Sequence, residues 1–213
     1  MYFLHPSEPL RTAFTVRPYQ GEAPENATFL FVGLDANCAA DVADSPIFPE
    51  LLAYLSDGVA FWQRTGVHHP FLLPGYGNAD GAKYHRTFAI IGFRPEHPTR
   101  ISFVELMQLP TYGPSRLETG DLKLAHLQWL NEVITAGTAA RAFVPDGVAR
   151  LMRASRMFPW LPKEARNDGR ALSVWHRSTR TTVYCHYHLS VYGHQETKKQ
   201  KQITEIRHLA GLA

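Results

Sequence analysis

The feature that most constrains the fold is an alternation of strand-length apolar runs with segments of helical spacing. Apolar runs of strand length occupy about residues 28–34, 101–106 and 139–144, and a segment with helical spacing follows each of them. Two further β-rich runs, about residues 171–175 and 181–187, are joined by a short polar link, which is typical of a hairpin. This β-α-β-α order predicts a three-layer α/β/α domain with a central, mostly parallel sheet of about four strands.

The chain has the length and composition of one globular domain, with 213 residues, 45% hydrophobic and 19% charged. Residues 1–27 are rich in proline and turn formers and show neither helical nor strand periodicity, so we interpret them as an arm packed on a single domain of residues 28–213. A glycine-rich, aromatic stretch at about residues 57–84 predicts a long loop insertion. Loops of that length inside a compact domain are typically functional, so we expect this one beside the site.

The sequence predicts a cytoplasmic protein. No run approaches the roughly 18 apolar residues that a membrane span needs, and the amino terminus lacks the basic-then-apolar order of a secretory signal. Two cysteines, Cys38 and Cys185, are too few for a disulfide scaffold or a cysteine zinc site, so we expect reduced thiols.

The net charge of +3 is divided unevenly along the chain. Residues 1–140 carry 9 basic and 14 acidic side chains, whereas residues 141–213 carry 13 basic and 5 acidic ones. A basic carboxyl-terminal third suits a polyanion, because lysine and arginine that neutralise phosphates gain from counterion release. A solvated basic surface explains the same charge equally well.

Polar clusters follow the first and the last predicted parallel strands. Asp35 lies in the turn Gly33-Leu-Asp-Ala-Asn37, and His188 begins the segment His188-Leu-Ser-Val-Tyr-Gly193. The carboxyl ends of parallel strands meet at one edge of a sheet, where open α/β folds bind ligands. Asp35 there suits a general base or electrostatic stabiliser, and His188 a hydrogen-bond donor or acid. A single aspartate after a strand is more often structural, so the pairing carries the hypothesis.

Four segments resemble the uracil-DNA glycosylase superfamily, in the right order. Residues 33–37 resemble its first motif, and residues 188–193 resemble its second. Residues 103–111 resemble the second strand and proline-threonine turn of the mismatch-specific branch, and residues 139–151 resemble the third strand and following helix. The resemblance implies the superfamily's fold and a monofunctional DNA glycosylase, which hydrolyses the N-glycosidic bond of a flipped-out pyrimidine and leaves an abasic site.

The resemblance also implies roles for single residues. Asp35 would orient or activate the water that attacks the sugar C1′, and His188 would hydrogen-bond the departing base. The target nucleotide must leave the stack because its glycosidic bond is otherwise inaccessible. The residues implied to bind the substrate are Gly33, Leu34, Asn37, Phe71, Tyr84 and His186. Of these, Phe71 and Tyr84 are candidates for stacking on the base, although a core role explains each equally well.

A further set of residues is implied to contact DNA. Ser190 and Thr111 would touch phosphates, and Val191 or Tyr192 would wedge into the duplex. Lys198 and Lys199 are expected on the outer face of a closing helix. We expect double-stranded DNA as the partner, a monomeric protein, and neither a cofactor nor a metal.

Two departures from the superfamily pattern bear on the substrate. Ala36 and Asn37 stand where the superfamily usually has proline and then glycine or tyrosine, and that tyrosine excludes a C5 substituent in the uracil enzymes. The segment from Cys38 to Lys83 is also unusually long. We therefore expect a C5-modified pyrimidine, such as a hypermodified cytosine of phage DNA, and hence a role in antiviral defence. A uracil or mismatch repair glycosylase is the alternative, and a non-catalytic DNA-binding protein of the same fold is a further one.

Other kinds of site are weaker alternatives. His186 and His188 could hold zinc together with His194 or the histidine pair at 68–69, but no cysteine pair or carboxylate is spaced to complete the site. Cys185 beside His186 does not suit a thiol nucleophile, because neighbours on a strand point to opposite faces. A nucleotide-handling α/β hydrolase is disfavoured because no glycine-rich phosphate loop follows any strand.

Overall fold

The fold is described from a computed structural model, which describes residues 2–77, 80–114 and 116–212. In chain order, the strands are β1 (Phe3–Leu4), β2 (Gln20–Gly21), β3 (Phe29–Gly33), β4 (Ile101–Glu105), β5 (Thr111–Tyr112), β6 (Arg141–Pro145), β7 (Ser173–Arg177) and β8 (Thr182–His186). The α-helices are α1 (Glu8–Val16), α2 (Phe48–Ser56), α3 (Gly58–Thr65), α4 (Ala82–Ala89), α5 (Leu124–Ala136), α6 (Asp146–Ser155) and α7 (Glu196–Leu209).

The described residues form a six-stranded sheet in the order β2-β4-β3-β6-β8-β7. The four inner strands are parallel, and the two edge strands, β2 and β7, run antiparallel to their neighbours. The predicted α/β class with a mostly parallel sheet flanked by helices is therefore confirmed. The predicted hairpin of residues 171–175 and 181–187 corresponds to β7 and β8, and the antiparallel edge strand β2 was not predicted. Strands β1 and β5 pair in a separate two-stranded sheet.

Side chains of the parallel strands contribute alternately to two hydrophobic cores, because successive residues of a strand point to opposite faces of the sheet. On one face, phenylalanines of β3, β4 and β6 pack against α3, α4 and α7. On the other face, the aliphatic residues Leu30, Val32 and Val104 pack against α5 and α6. Burying each such side chain contributes about 1.5–3 kcal/mol, so the two cores hold the helices on both faces of the sheet.

The amino-terminal segment contains a helix and a strand that the sequence pattern did not predict. Helix α1 is capped by Ser7, whose hydroxyl accepts from the amide of Leu10 at 3.4 Å, and it buries Leu10 and Phe14 against α2. Strand β2 adds an edge to the main sheet. A nine-residue helix with two buried residues shows too little periodicity to be recognised, so the interpretation of residues 1–27 as an irregular arm missed these elements.

The predicted loop at residues 57–84 is partly wrong, because its first third is helix α3. Asp57 Oδ1 accepts from the amide of Ala60 at 2.9 Å, and Gly66 ends the helix at φ 79°, a left-handed conformation that suits glycine. A 3-10 turn, Pro70–Leu72, lies between α3 and α4. Two residues of the predicted loop, 78 and 79, lie outside the described residues.

In the described parts of the chain, no helix is both long enough and apolar enough to cross a bilayer.

Candidate active site

A pocket lies at the edge of the sheet where β3, β4 and β8 end. It encloses about 820 Å³, its open mouth included. The predicted site residues in its wall are Gly33, Leu34, Asp35, Asn37, Phe71, Tyr84, His188 and Ser190. Wall residues that sequence reasoning missed include Gln20, His69, His85, Phe103 and Glu105. The fold therefore brings Asp35 and His188 to one cavity, which we call the Asp35 pocket.

The Asp35 carboxylate is anchored by a chain of hydrogen bonds. Thr111 Oγ1 donates to Asp35 Oδ2, and Asn37 Nδ2 donates to Thr111 Oγ1 at 3.2 Å and to the carbonyl of Gly113 at 2.7 Å. Backbone bonds on both sides of Thr111 tie it to residues 36 and 38. These contacts fix the direction of the carboxylate.

The same contacts correct one sequence prediction and add detail to a second. Thr111 is fully buried, and its hydroxyl points to Asp35, so it does not reach a phosphate at the surface. Asn37 lies in the pocket wall, and its Nδ2 donates to the Thr111 hydroxyl and to the carbonyl of Gly113. Both residues therefore position Asp35.

His188 presents a hydrogen-bond donor. Its Nδ1 accepts from the amide of Ser190 at 3.3 Å, so the neutral ring carries its proton on Nε2. Burial lowers the pKa of His188, while the charge of Asp35 opposes that shift. The ring is accordingly neutral at pH 7, and an imidazole N–H is its polar contribution to the pocket.

Lys199 holds the segment that carries His188, residues 188–192, which we call the histidine loop. Its Nζ donates to the carbonyl of Val191 at 2.9 Å and to that of Leu189 at 3.4 Å, and it pairs with the Glu196 carboxylate at 2.9 Å. Lys199 was predicted to contact DNA, but it is only 2% exposed. The reason is helical spacing, since residues 199, 203 and 206 share the inner face of α7.

Two residues of the predicted DNA contact remain at the surface. Lys198 is exposed on α7, and Tyr192 is 78% exposed at the end of the histidine loop. The Nζ of Lys83 lies 4.5 Å from the centre of the Tyr192 ring, a cation–π contact that holds the ring near α4. Val191 is half-buried.

The two stacking candidates differ in how much ring they leave exposed. Phe71 is buried, and its ring stacks on Tyr76 with the centroids 3.9 Å apart. Tyr84 is half-buried, and its ring centroid lies 5.3 Å from that of His188. Of the two, Tyr84 therefore has more ring surface available to a ligand.

His186 does not belong to the Asp35 pocket. It is buried, its Nδ1 lies 2.7 Å from the carbonyl of Tyr187, and it lines a second cavity together with Asp146 and Lys198. Strand β8 ends at His186, so strand alternation does not carry on to His188. Burial lowers the pKa of His186 to about 3, which keeps the ring neutral.

Neither the metal nor the thiol alternative gains support. His68 Nε2 lies 3.2 Å from His85 Nδ1, and the His69 and His85 rings stack at 3.5 Å, but within the described ranges no three histidine, cysteine or acidic side chains could hold a metal ion. Burial raises the pKa of Cys185 to about 12, so it is a thiol and not a thiolate nucleophile.

Glu105 is the missed residue with the most distinctive chemistry. It ends β4 directly opposite Gly33, and burial together with the charge of Asp35 raises its pKa to about 8. Its carboxyl lies over Gly33, where a Cβ atom would come within 2.6 Å of Glu105 Cδ. The sequence placed Glu105 at a strand end, but only the strand register reveals that it faces Gly33.

The Asp35 pocket thus combines an anchored carboxylate, a neutral imidazole donor and a carboxyl that is mostly protonated at pH 7. Such a set suits proton transfer and charge stabilisation around an uncharged ligand in an enclosed space. Comparison of the chain with protein-family models and with curated proteins finds no match.

Proposed function

We propose that the protein is a monofunctional DNA glycosylase that hydrolyses the N-glycosidic bond of a flipped-out pyrimidine nucleotide and leaves an abasic site. The observation that carries the proposal is the meeting of Asp35 and His188 in one pocket at the carboxyl edge of the sheet. These two residues belong to the two motifs that resemble the uracil-DNA glycosylase superfamily. The resemblance supplies the reaction class, and the pocket supplies a place for it.

In the proposed reaction, the C1′–N1 bond breaks and its electron pair moves to the base. The Asp35 carboxylate stabilises the positive charge on the sugar and orients the attacking water. The water oxygen bonds to C1′, and one water proton passes to Asp35 and then to solvent. His188 donates its Nε2–H to the base and stabilises the negative charge there. A preorganised donor of this kind is worth about 2.7–4 kcal/mol in the transition state.

DNA would be held by groups outside the pocket. Tyr192 is a large exposed ring at the end of the histidine loop, which suits a wedge that fills the space left by a flipped nucleotide. The basic carboxyl-terminal third supplies exposed lysines, Lys198 and Lys201 among them, for phosphate contacts.

The pocket wall supports a base that carries a C5 substituent. At position 37 the chain has a short amide that is tied to Thr111 and Gly113, and no aromatic ring stands there to close the pocket. A hypermodified cytosine of phage DNA fits this expectation, and release of such a base would serve antiviral defence.

The proposal is tested by a panel of duplexes that contain uracil, thymine opposite guanine, hydroxymethylcytosine or glucosylated hydroxymethylcytosine at one position. We expect the wild-type protein to release a C5-modified base. His188→Ala should slow release by about 10²–10³-fold, as expected for loss of one such donor, while DNA affinity is retained. Asp44→Asn, at an exposed site outside the pocket, is the control.

The other outcomes separate the alternatives. DNA binding without release of any base would contradict the enzyme and favour a non-catalytic binder. Release of uracil alone would contradict the C5-modified substrate and favour a repair glycosylase.

A further inference from the structure

We infer that Glu105 is a further catalytic residue of the Asp35 pocket and that the base is of the cytosine class, with Glu105 binding its pairing edge and protonating N3 as the glycosidic bond breaks. The inference rests on the proposed glycosylase function and deepens it, since it names the side chain that binds the cytosine ring and supplies its proton.

The position of Glu105 is the first observation. Gly33 and Glu105 are paired residues of the parallel strands β3 and β4, and the missing Cβ at Gly33 leaves room for the carboxyl. The side chain lines the pocket, and no described residue forms a hydrogen bond with its carboxyl, since the 2.8 Å bond from His126 goes to the backbone carbonyl. A mostly buried carboxyl that has no partner among the described residues is costly, and a ligand that forms hydrogen bonds with it would offset that cost.

Gln20 is a second polar side chain that is buried in the wall of the Asp35 pocket. It lies opposite Phe103 in the pairing of β2 with β4, so its side chain shares a face with Phe103 and Glu105. Gln20 is only 6% exposed, lines the pocket, and has no hydrogen-bond partner among the residues that the structure describes. Two polar groups that have no hydrogen-bond partner among the described residues therefore face one cavity from adjacent strands, and such an arrangement suits binding to the pairing edge of a base.

The protonation state of Glu105 makes its carboxyl both a hydrogen-bond donor and a hydrogen-bond acceptor. With its pKa raised to about 8 by burial and by Asp35, Glu105 is mostly a neutral carboxylic acid at pH 7, and a neutral carboxyl both donates and accepts a hydrogen bond. The other titratable groups around it are held neutral because burial shifts their pKa values away from 7; they are Cys38, Tyr54, His69, Tyr84, His85, His126 and His188. The charge of Asp35 also acts on Glu105 and adds to the effect of burial on its pKa.

Cytosine matches this donor and acceptor pair. Its pairing edge places the acceptor N3 beside the 4-amino donor, so the Glu105 hydroxyl donates to N3 while the carbonyl oxygen accepts from the amino group. A neutral carboxyl also fits the pairing edge of uracil, so binding geometry alone does not separate the two bases. The leaving-group chemistry does.

Uracil leaves as an anion whose charge spreads over two carbonyl oxygens. A hydrogen-bond donor such as His188 is enough to stabilise that anion, without transfer of a proton. Cytosine has an amino group in place of one carbonyl, so its anion is a poorer leaving group and a proton is needed. In the proposed step, the C1′–N1 bond breaks, its electron pair goes to the ring, and the Glu105 proton moves to N3, so cytosine leaves as a neutral tautomer. The water oxygen bonds to C1′, and one water proton goes to Asp35 and from there to solvent. Solvent returns a proton to Glu105.

The test compares two duplexes that differ only at C4 of the target base, hydroxymethylcytosine and hydroxymethyluracil. Single-turnover base release is measured from acid to alkaline pH for wild type, Glu105→Gln and the control Glu118→Gln, which changes an exposed carboxylate. Glutamine keeps the size and the hydrogen-bonding capacity but supplies no proton. We expect wild-type release of hydroxymethylcytosine to fall as the pH rises through about 8.

We expect Glu105→Gln to slow hydroxymethylcytosine release by about 10²–10⁴-fold, to remove the alkaline fall, and to change hydroxymethyluracil release far less. Equal slowing of both bases, or no slowing of either, would overturn the role of Glu105 as an acid. A wild-type preference for hydroxymethyluracil would overturn the cytosine class. Failure of the wild type to release any base from any duplex would instead contradict the glycosylase function itself.

Discussion

Gly33 and Glu105 are neighbours across two parallel strands, and the lack of a side chain at Gly33 gives the Glu105 carboxyl its place. Gly33→Ala should therefore displace the carboxyl, because the new Cβ would lie 2.6 Å from Glu105 Cδ. The colliding group is the end of a flexible side chain, so we expect base release to fall at least about tenfold, a loss of about 1.4 kcal/mol in transition-state stabilisation, with little change in melting temperature.

Gly147→Ala is the matched control for that substitution, because a Cβ there meets only Arg150 Nη2 at 3.9 Å. It should leave base release unchanged. Unaltered activity of Gly33→Ala would contradict a catalytic position for the Glu105 carboxyl.

Glu105 also makes a prediction about stability and pH. Its pKa in the folded protein is about 8, above the value of 4.5 for an unperturbed glutamate. The folded state therefore binds the proton more tightly than the unfolded state, and the corresponding stability is complete below about pH 4.5 and is lost as the pH rises through 8. A tenfold difference in proton affinity between the two states corresponds to about 1.4 kcal/mol of stability.

Glu105→Gln removes this ionisation, so the melting temperature of the variant should exceed that of the wild type at alkaline pH and approach it in acid. Thermal unfolding of both proteins across pH measures the difference. Parallel curves for the two proteins would mean that Glu105 is not held neutral by burial.

Sequence reasoning placed Asp35 and His188 correctly at the pocket but missed Glu105 and Gln20. Motif position and the end of a strand are readable from the chain, whereas the register that sets Glu105 opposite Gly33 depends on tertiary pairing. The same limit applies to Thr111. Its turn was recognised, but that its hydroxyl points inward to Asp35 follows from the way residues 36–38 bond to it.

At the scale of elements, α7 stabilises the histidine loop through Lys199, and we call this contact the α7 clamp. Lys199→Met keeps the aliphatic stem but removes the ammonium that bonds two loop carbonyls. Leaving a buried acceptor unsatisfied costs about 1–3 kcal/mol, so we expect a loss of stability in that range, measured by denaturant unfolding. Base release should fall as well, because the loop positions His188.

The neighbouring Lys198→Met is the matched control, since Lys198 is exposed on the same helix. It should leave stability unchanged. Equal stability of the two variants would contradict the claim that Lys199 stabilises the histidine loop.

Helix α3 shows why an element can be overlooked. Its start and stop signals, Asp57 and Gly66, are present in the sequence, but they lie in a stretch dominated by glycine and aromatic residues. Only Gly58, Phe61 and Trp62 are buried in the helix, which is too short a pattern to establish a helical period against that background.

At the scale of the whole molecule, the sheet topology creates the site. Strand β3 has β4 on one side and β6 on the other, so the connections that leave β3 and β6 diverge, and a crevice opens at their carboxyl ends. The β-α-β alternation was enough to predict the parallel strands and this edge. The antiparallel edge strand β2 was not predictable, because two residues carry no strand pattern.

The uneven charge of the chain makes a prediction for DNA binding. Lys163, Lys198 and Lys201 line one cavity beside the carboxyl ends of β6 and β8. Changing all three to glutamine should lower the salt dependence of DNA affinity by a slope of about 3, because each phosphate contact contributes a slope of about 1. Base release at saturating protein should change little, since none of the three lines the Asp35 pocket.

Binding isotherms at several salt concentrations measure that slope. An unchanged slope would mean that DNA lies elsewhere, and that these lysines form an ordinary solvated surface.

The central claim is that Asp35 serves the cleavage of an N-glycosidic bond, and the most direct test is the yield of free base from a hydroxymethylcytosine duplex mixed with excess protein. We expect the wild type to release the base and leave an abasic site, and Asp35→Asn to do so at least about 10²-fold more slowly, a loss of about 2.7 kcal/mol, with unchanged affinity for the duplex. Release by Asp35→Asn at the wild-type rate would contradict the account.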